Sequence, residues 1–187
     1  MAKYQIDSIQ NWQPFEHGGI PYSLSHLDAH EITYKGQKQD YKFVVTYGLH
    51  CFAKDTTAFN IPLVYGDGRE MLTICMERYE ASKQIRKILT NLPAMKLFHT
   101  DADKFFTLDM INSTTGQYEP YKVCIAFYKE KRLLRMHILS AFFIRTGPGS
   151  PGVPIPSKSV SLFKVAMDTA AKQRNGAFPK EANNRHK

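Results

Sequence analysis

The chain of 187 residues carries a formal net charge of +8, with 43% hydrophobic and 22% charged residues. That length suits one domain with a substantial core, and the composition excludes a disordered, collagenous or disulfide-stapled chain. No stretch approaches membrane-spanning length, and the start MAKYQIDSIQ lacks the apolar centre of a signal peptide.

Charge is unevenly placed. Residues 1–120 hold 12 Lys+Arg against 14 Asp+Glu, a balance of −2, whereas residues 121–187 hold 13 against 3, a balance of +10. Such asymmetry points to a polyanion partner, of which nucleic acid is the commonest. Cys51, Cys75 and Cys124 are scattered and form no CxxC pair. Free thiols in a reducing compartment, hence a cytoplasmic protein, are expected.

In chain order, ITYKGQKQDYKFVVTYGLHCF (32–52) predicts a hairpin whose second arm alternates and leaves His50 on the more polar face. IPLVYGDGREMLTICM (61–76) predicts another hairpin, turning at Gly66-Asp67-Gly68. ERYEASKQIRKILTNLP predicts one helix with Ala81, Ile85, Ile88, Leu89 and Leu92 along one apolar stripe, stopped by Pro93. Three strands follow, at 104–111, 121–128 and 132–145. The Pro/Gly-rich run 146–158 can be neither helix nor inner strand. SVSLFKVAMDTAAKQR predicts a closing helix with Leu162, Phe163, Ala166, Met167 and Ala170 inward. The expected fold is α+β: a single domain over 1–174, a largely antiparallel sheet, one central helix and a C-terminal helix. Residues 175–187 are expected to be a flexible basic tail.

Most familiar chemistries find no footing. There is no GxSxG elbow, P-loop or GxGxxG. His26, His30, His50 and Cys51 include an HxxxH pair, but their spacing fits no standard zinc pattern, so no metal and no cofactor is expected. Each cysteine falls in an apolar segment, where a small buried thiol is the default.

The strand LLRMHILSAFFIR is different. Arg135, His137 and Arg145 share one face of it by alternation. A histidine can move a proton near neutral pH, and arginine can hold a phosphate through its planar fork. RNA supplies its own nucleophile in the 2′-hydroxyl, so a base, an acid and cations suffice.

From ERYEASKQIRKILTNL through KFFTL and YKVCIAFY to LLRMHILSAFF, residues 77–145 resemble the barnase–EndoU–colicin–RelE group of ribonuclease folds. The whole chain also looks like uncharacterised proteins carried by bacterial mobile elements. The resemblance implies a metal-independent endoribonuclease of toxin or effector type, with RNA as the favoured partner. A cognate inhibitor or host protein is a further candidate partner. Ser140 and Phe142 match the small-hydroxyl and aromatic pair of the last strand in that group, and Arg78 a basic residue near the helix start. The catalytic candidates are His137, His50, Arg78 and Ser140; the nucleic-acid-binding candidates are Arg132, Arg135, Arg145, Lys158, Lys164 and Lys172. Strict alternation sets Ser140 and Phe142 on the opposite face from Arg135 and His137, and only a β-bulge would reunite them. The competing reading is a non-enzymatic protein that binds nucleic acid or a host protein on the same scaffold.

Overall fold

The computed structural model describes residues 11–55, 63–68, 70–101, 104–111, 115–147 and 152–172. The expected tail, 175–187, lies outside them. A short hairpin, β1 (Phe15–His17) and β2 (Ile20–Tyr22), leads into β3 (His30–Tyr34) and β4 (Tyr41–Tyr47). Next come β5 (Ala53–Lys54), β6 (Val64–Gly66), β7 (Met71–Ile74) and the helices α1 (Met76–Ser82) and α2 (Ile85–Asn91). Four strands follow, β8 (Phe98–Asp101), β9 (Lys104–Ile111), β10 (Tyr118–Glu130) and β11 (Leu133–Phe143), and then α3 (Leu162–Ala171).

Among the described residues the main sheet has six strands in the order β3-β4-β11-β10-β9-β8, and β5-β7-β6 form a smaller antiparallel sheet. The main sheet is antiparallel except where β4 runs parallel to β11 at its centre. This is the expected α+β fold. No helix among the described residues is long and apolar enough to cross a membrane.

Several local expectations are corrected. The central helix is two pieces, because the amides of Lys83 and Gln84 bond back three residues, to Glu80 and Ala81, at 3.3 and 3.2 Å. That tighter turn rotates the second piece, yet Ala81, Ile85, Ile88, Leu89 and Leu92 all remain buried. Burying each of the larger aliphatic side chains contributes roughly 1.5–3 kcal/mol. In α3 Leu162, Val165, Ala166 and Thr169 are buried, and Phe163 and Ala170 are partly buried against the core as expected, while Met167 faces out at 49% exposure. The arm beginning at Tyr41 stops at Tyr47, and Leu49–Cys51 is a 3₁₀ turn. His50 is therefore carried by a turn and not by a strand face. His26 likewise sits in a 3₁₀ turn, Ser25–Leu27.

The two sheet faces have different jobs. Phe43, Val45, Tyr47, Val123, Ile125, Phe127, Met136 and Ile138 belong to the main core, together with residues of all three helices. The opposite face carries a smaller apolar cluster at one end, with Phe98, Phe106, Leu108 and Ile144. The rest of that face holds the polar residues of β11.

Candidate functional site

The face is organised by an irregularity in β11. Ile138 pairs with Ile125, but Ser140 pairs with Cys124, so Leu139 is an extra residue opposite the Cys124–Ile125 step. This is a β-bulge, and it reverses the alternation beyond it. Met136, Ile138 and Ala141 thereby all reach the main core, and each is fully buried. On the other face His137, Ser140 and Phe142 line one cavity of about 650 Å³. The volume lies within the range of small-ligand sites.

The floor of the cavity follows from side-chain size. Thr46 pairs with His137, His137 with Ala126, and Ala126 with Lys104, making one row across four strands. The next row pairs Ser140 with Cys124. Small residues at 124, 126 and 140 leave a depression between the larger groups. Lys104 and His137 stand two strand spacings apart, roughly 10 Å between backbones, at either side of it.

Each wall is locally determined. His137 is 7% exposed, and its Nδ1 meets Thr46 Oγ1 at 2.9 Å, which fixes the imidazole plane. The parallel pairing of β4 with β11 ends just before the bulge, and the Gly48 amide then donates to the Ile138 carbonyl at 2.8 Å. A Cβ at Gly48 would lie 2.9 Å from the Leu139 carbonyl oxygen and 3.5 Å from His137 Nε2. Glycine is what lets the chain turn here, and the turn delivers His50 to the cavity wall. His50 Nε2 lies 3.6 Å from Glu70 Oε1, a counter-charge for the imidazolium form. Arg78, from α1, donates one Nη1 group to the carbonyls of His50 (3.2 Å) and Ala53 (2.9 Å), and its guanidinium lies 5.2 Å from the Phe142 ring. The arginine ties the 3₁₀ turn to the helix and presents positive charge to the cavity.

His137, His50, Arg78 and Ser140, the four catalytic candidates read from the sequence, therefore line the same cavity. The candidates for nucleic-acid contact do not gather there. Arg135 departs furthest from expectation: it is 0% exposed, 3.6 Å from Glu130 and 6.0 Å from the Tyr128 ring. None of its three guanidinium nitrogens has a hydrogen-bond partner. It shares the face of His137 as alternation requires, but it is sealed from solvent. Arg145 is exposed and bound to Glu77 and Glu119. Lys164 pairs with Asp168 at 2.6 Å on α3, whose buried side belongs to the main core behind the sheet. Lys172 follows α3, Lys158 lies in the irregular run before it, and Arg132 sits in the β10–β11 turn. Pairing and dispersal break up what the linear charge count suggested was one basic face.

Lys104, Asp67, Glu70 and Thr100 also line the cavity and were missed. They come from turns and strand ends whose juxtaposition has no sequence period. Two carboxylates thus offset the two permanent cations, Arg78 and Lys104. Cys51 adjoins the site in sequence but is fully buried, donates toward the Ile138 carbonyl, and has its thiol pKa pushed up to about 12 by burial. That makes it a poor nucleophile. Among the described residues no three His, Cys, Asp or Glu side chains are grouped to hold a metal ion.

No solved structure matches the chain. Protein YjaZ of Escherichia coli (strain K12) is 30% identical over 171 residues, an alignment covering 86% of this chain and 91% of the relative. The YjaZ family matches residues 14–170, a span that includes every residue of the cavity wall. The chain belongs to the YjaZ family.

Proposed function

We propose that the cavity is an acid–base site for a phosphodiester substrate, with single-stranded RNA as the substrate class and no requirement for a metal ion. The observation that carries the reading is the convergence of two imidazoles, a guanidinium, an ammonium and a hydroxyl on one cavity. His137, oriented by Thr46, accepts the proton of the ribose 2′-hydroxyl. The 2′-oxygen attacks phosphorus, and the bond from phosphorus to the 5′-oxygen breaks. His50, backed by Glu70, gives its proton to the departing 5′-oxygen. Arg78 and Lys104 offset the charge that builds on the phosphoryl oxygens, and Ser140 donates a hydrogen bond. The products are a 2′,3′-cyclic phosphate and a 5′-hydroxyl. Three free cysteines, none of them disulfide-bonded, fit a cytoplasmic setting.

The test is turnover of a fluorogenic oligoribonucleotide by purified protein in excess chelator. His137→Ala is expected to reduce the rate at least 100-fold, since one acid–base group contributes typically 10²–10⁴-fold. Unchanged turnover in that variant would remove the assignment. A second reading, binding without catalysis, is favoured by the commitment of Arg78 Nη1 to backbone carbonyls. Saturable RNA binding sensitive to Lys104→Gln, with no cleavage, would decide for it.

A further inference from the structure

Beside the main cavity lies a smaller one of about 110 Å³, lined by Lys54, Glu77, Arg78, Phe142, Phe143 and Arg145 among others. Arg78 and Phe142 line both, so the two compartments share a wall.

Three cations, Lys54, Arg78 and Arg145, surround a single carboxylate, that of Glu77. Arg145 grips it through both terminal nitrogens, the Nη1 contact being 3.3 Å. The Arg145 hydrogen bonds, with the charges of Arg145, Lys54 and Arg78, hold the Glu77 carboxyl below its usual range despite some burial. A carboxylate clasped by an arginine fork, with two further cations around it, occupies the place an oxyanion would take. Glu119 also reaches Arg145, at 3.4 Å, but from outside the compartment's lining.

The geometry points to a second anion subsite at Lys54, Arg78 and Arg145, occupied at rest by the Glu77 carboxylate, that receives the phosphate adjacent to the one in the main cavity. Resting on the phosphodiester reading above, this makes the substrate a chain carrying consecutive phosphates, with the Phe142 ring between them. The substrate phosphate must displace Glu77, so the side chain acts as a built-in competitor.

The experiment is titration of inorganic phosphate into the full-length protein, followed by NMR shifts and calorimetry. Glu77→Gln removes the internal anion and is expected to tighten phosphate binding about tenfold, with shifts centred on Lys54, Arg78 and Arg145. Glu80→Gln, the same charge change in the same helix but outside both cavities, is expected to alter affinity less than twofold. Adding Arg145→Gln to Glu77→Gln is expected to abolish the gain. Urea midpoints of all variants identify any that fail to fold. Equal effects of Glu77→Gln and Glu80→Gln, a gain that survives loss of Arg145, or additional shifts in Glu77→Gln confined to Lys104 and His137 would each overturn the subsite. The adjacency is tested separately: a 3′-phosphate added to a dinucleotide should strengthen its binding severalfold in wild type and not in Arg145→Gln. Absence of RNA cleavage alongside a tenfold phosphate gain in Glu77→Gln would sink the catalytic reading and leave the subsite standing.

Discussion

Gly48→Ala tests whether the bulge and the 3₁₀ turn are held together as tightly as described. The backbone at Gly48 has φ −92° and ψ 159°, a conformation open to alanine. By backbone entropy alone, the substitution would stabilise the protein by about 0.4–1 kcal/mol. Packing argues the other way. The added Cβ would stand 2.9 Å from the Leu139 carbonyl oxygen and 3.3 Å from that of Ile138. Those are backbone atoms, and the Gly48 amide is bound to Ile138 at 2.8 Å, so neither side can withdraw without breaking the contact. Forcing one methyl into such a site costs typically 1–3 kcal/mol. The net expectation is destabilisation by about 1–2 kcal/mol, and a melting temperature lower by roughly 2–8 °C for a chain of this size. Urea unfolding followed by fluorescence of Trp12, which is buried against Phe52, reads it directly. The same methyl would lie 3.5 Å from His137 Nε2, so ligand binding in the cavity should weaken as well. A Gly48→Ala protein more stable than wild type would refute the close approach, and with it the described geometry of the cavity rim.

The other expectations concern charge. His26 has its pKa lowered to about 4 by burial and by Lys83 and Arg86, against opposing effects of Asp28 and Glu80. Its unfolded form binds a proton more readily, so stability should fall as pH drops from about 6.5 toward 4, by about 1–2 kcal/mol after discounting for solvent screening. His26→Gln should flatten that part of the pH–stability curve, and an unchanged slope would contradict the assignment. Arg135→Met combined with Glu130→Gln, which removes both charges of the pair, should change stability by less than about 1 kcal/mol or raise it, because a buried guanidinium without hydrogen bonds repays little of its desolvation. A loss of 3 kcal/mol or more in urea unfolding would show that Arg135 is satisfied after all. RNA affinity should follow salt with a log–log slope of about −2 to −3, from about three phosphate contacts. A slope of −5 would reinstate an extended basic surface, and a flat response would end the nucleic-acid reading.

How far the sequence disclosed all this depends on the range of the interaction concerned. Periodicity is local, and it correctly placed the β3–β4 and β6–β7 hairpins, the strands β9, β10 and β11 and the buried stripe of α1 and α2, though it missed the short β8. The parallel pairing of β4 with β11 joins residues about 90 positions apart and leaves no local trace. The bulge at Leu139 is similar. Alternation read through LLRMHILSAFF separates His137 from Ser140, and only the pairing with β10 shows where the extra residue falls. Core demand decides it: without the extra residue, Ile138 and Ala141 could not both face inward. Arg135 shows the opposite failure, since its residue type spoke for a surface that tertiary packing has closed. Charge counts are blind to pairing, so the resting engagement of Arg145 by Glu77 and Glu119, and of Lys164 by Asp168, left no sign in the sequence.

The central claim, that two imidazoles serve the 2′-hydroxyl chemistry of RNA in this cavity, is tested most directly with a DNA oligonucleotide containing one ribonucleotide, incubated with the protein in excess chelator. Mass spectrometry of the products should show cleavage only after the ribonucleotide, leaving a 2′,3′-cyclic phosphate and a 5′-hydroxyl, and none with His137→Ala. Cleavage elsewhere in the DNA, a 3′-hydroxyl product, or an intact oligonucleotide after prolonged incubation would contradict it.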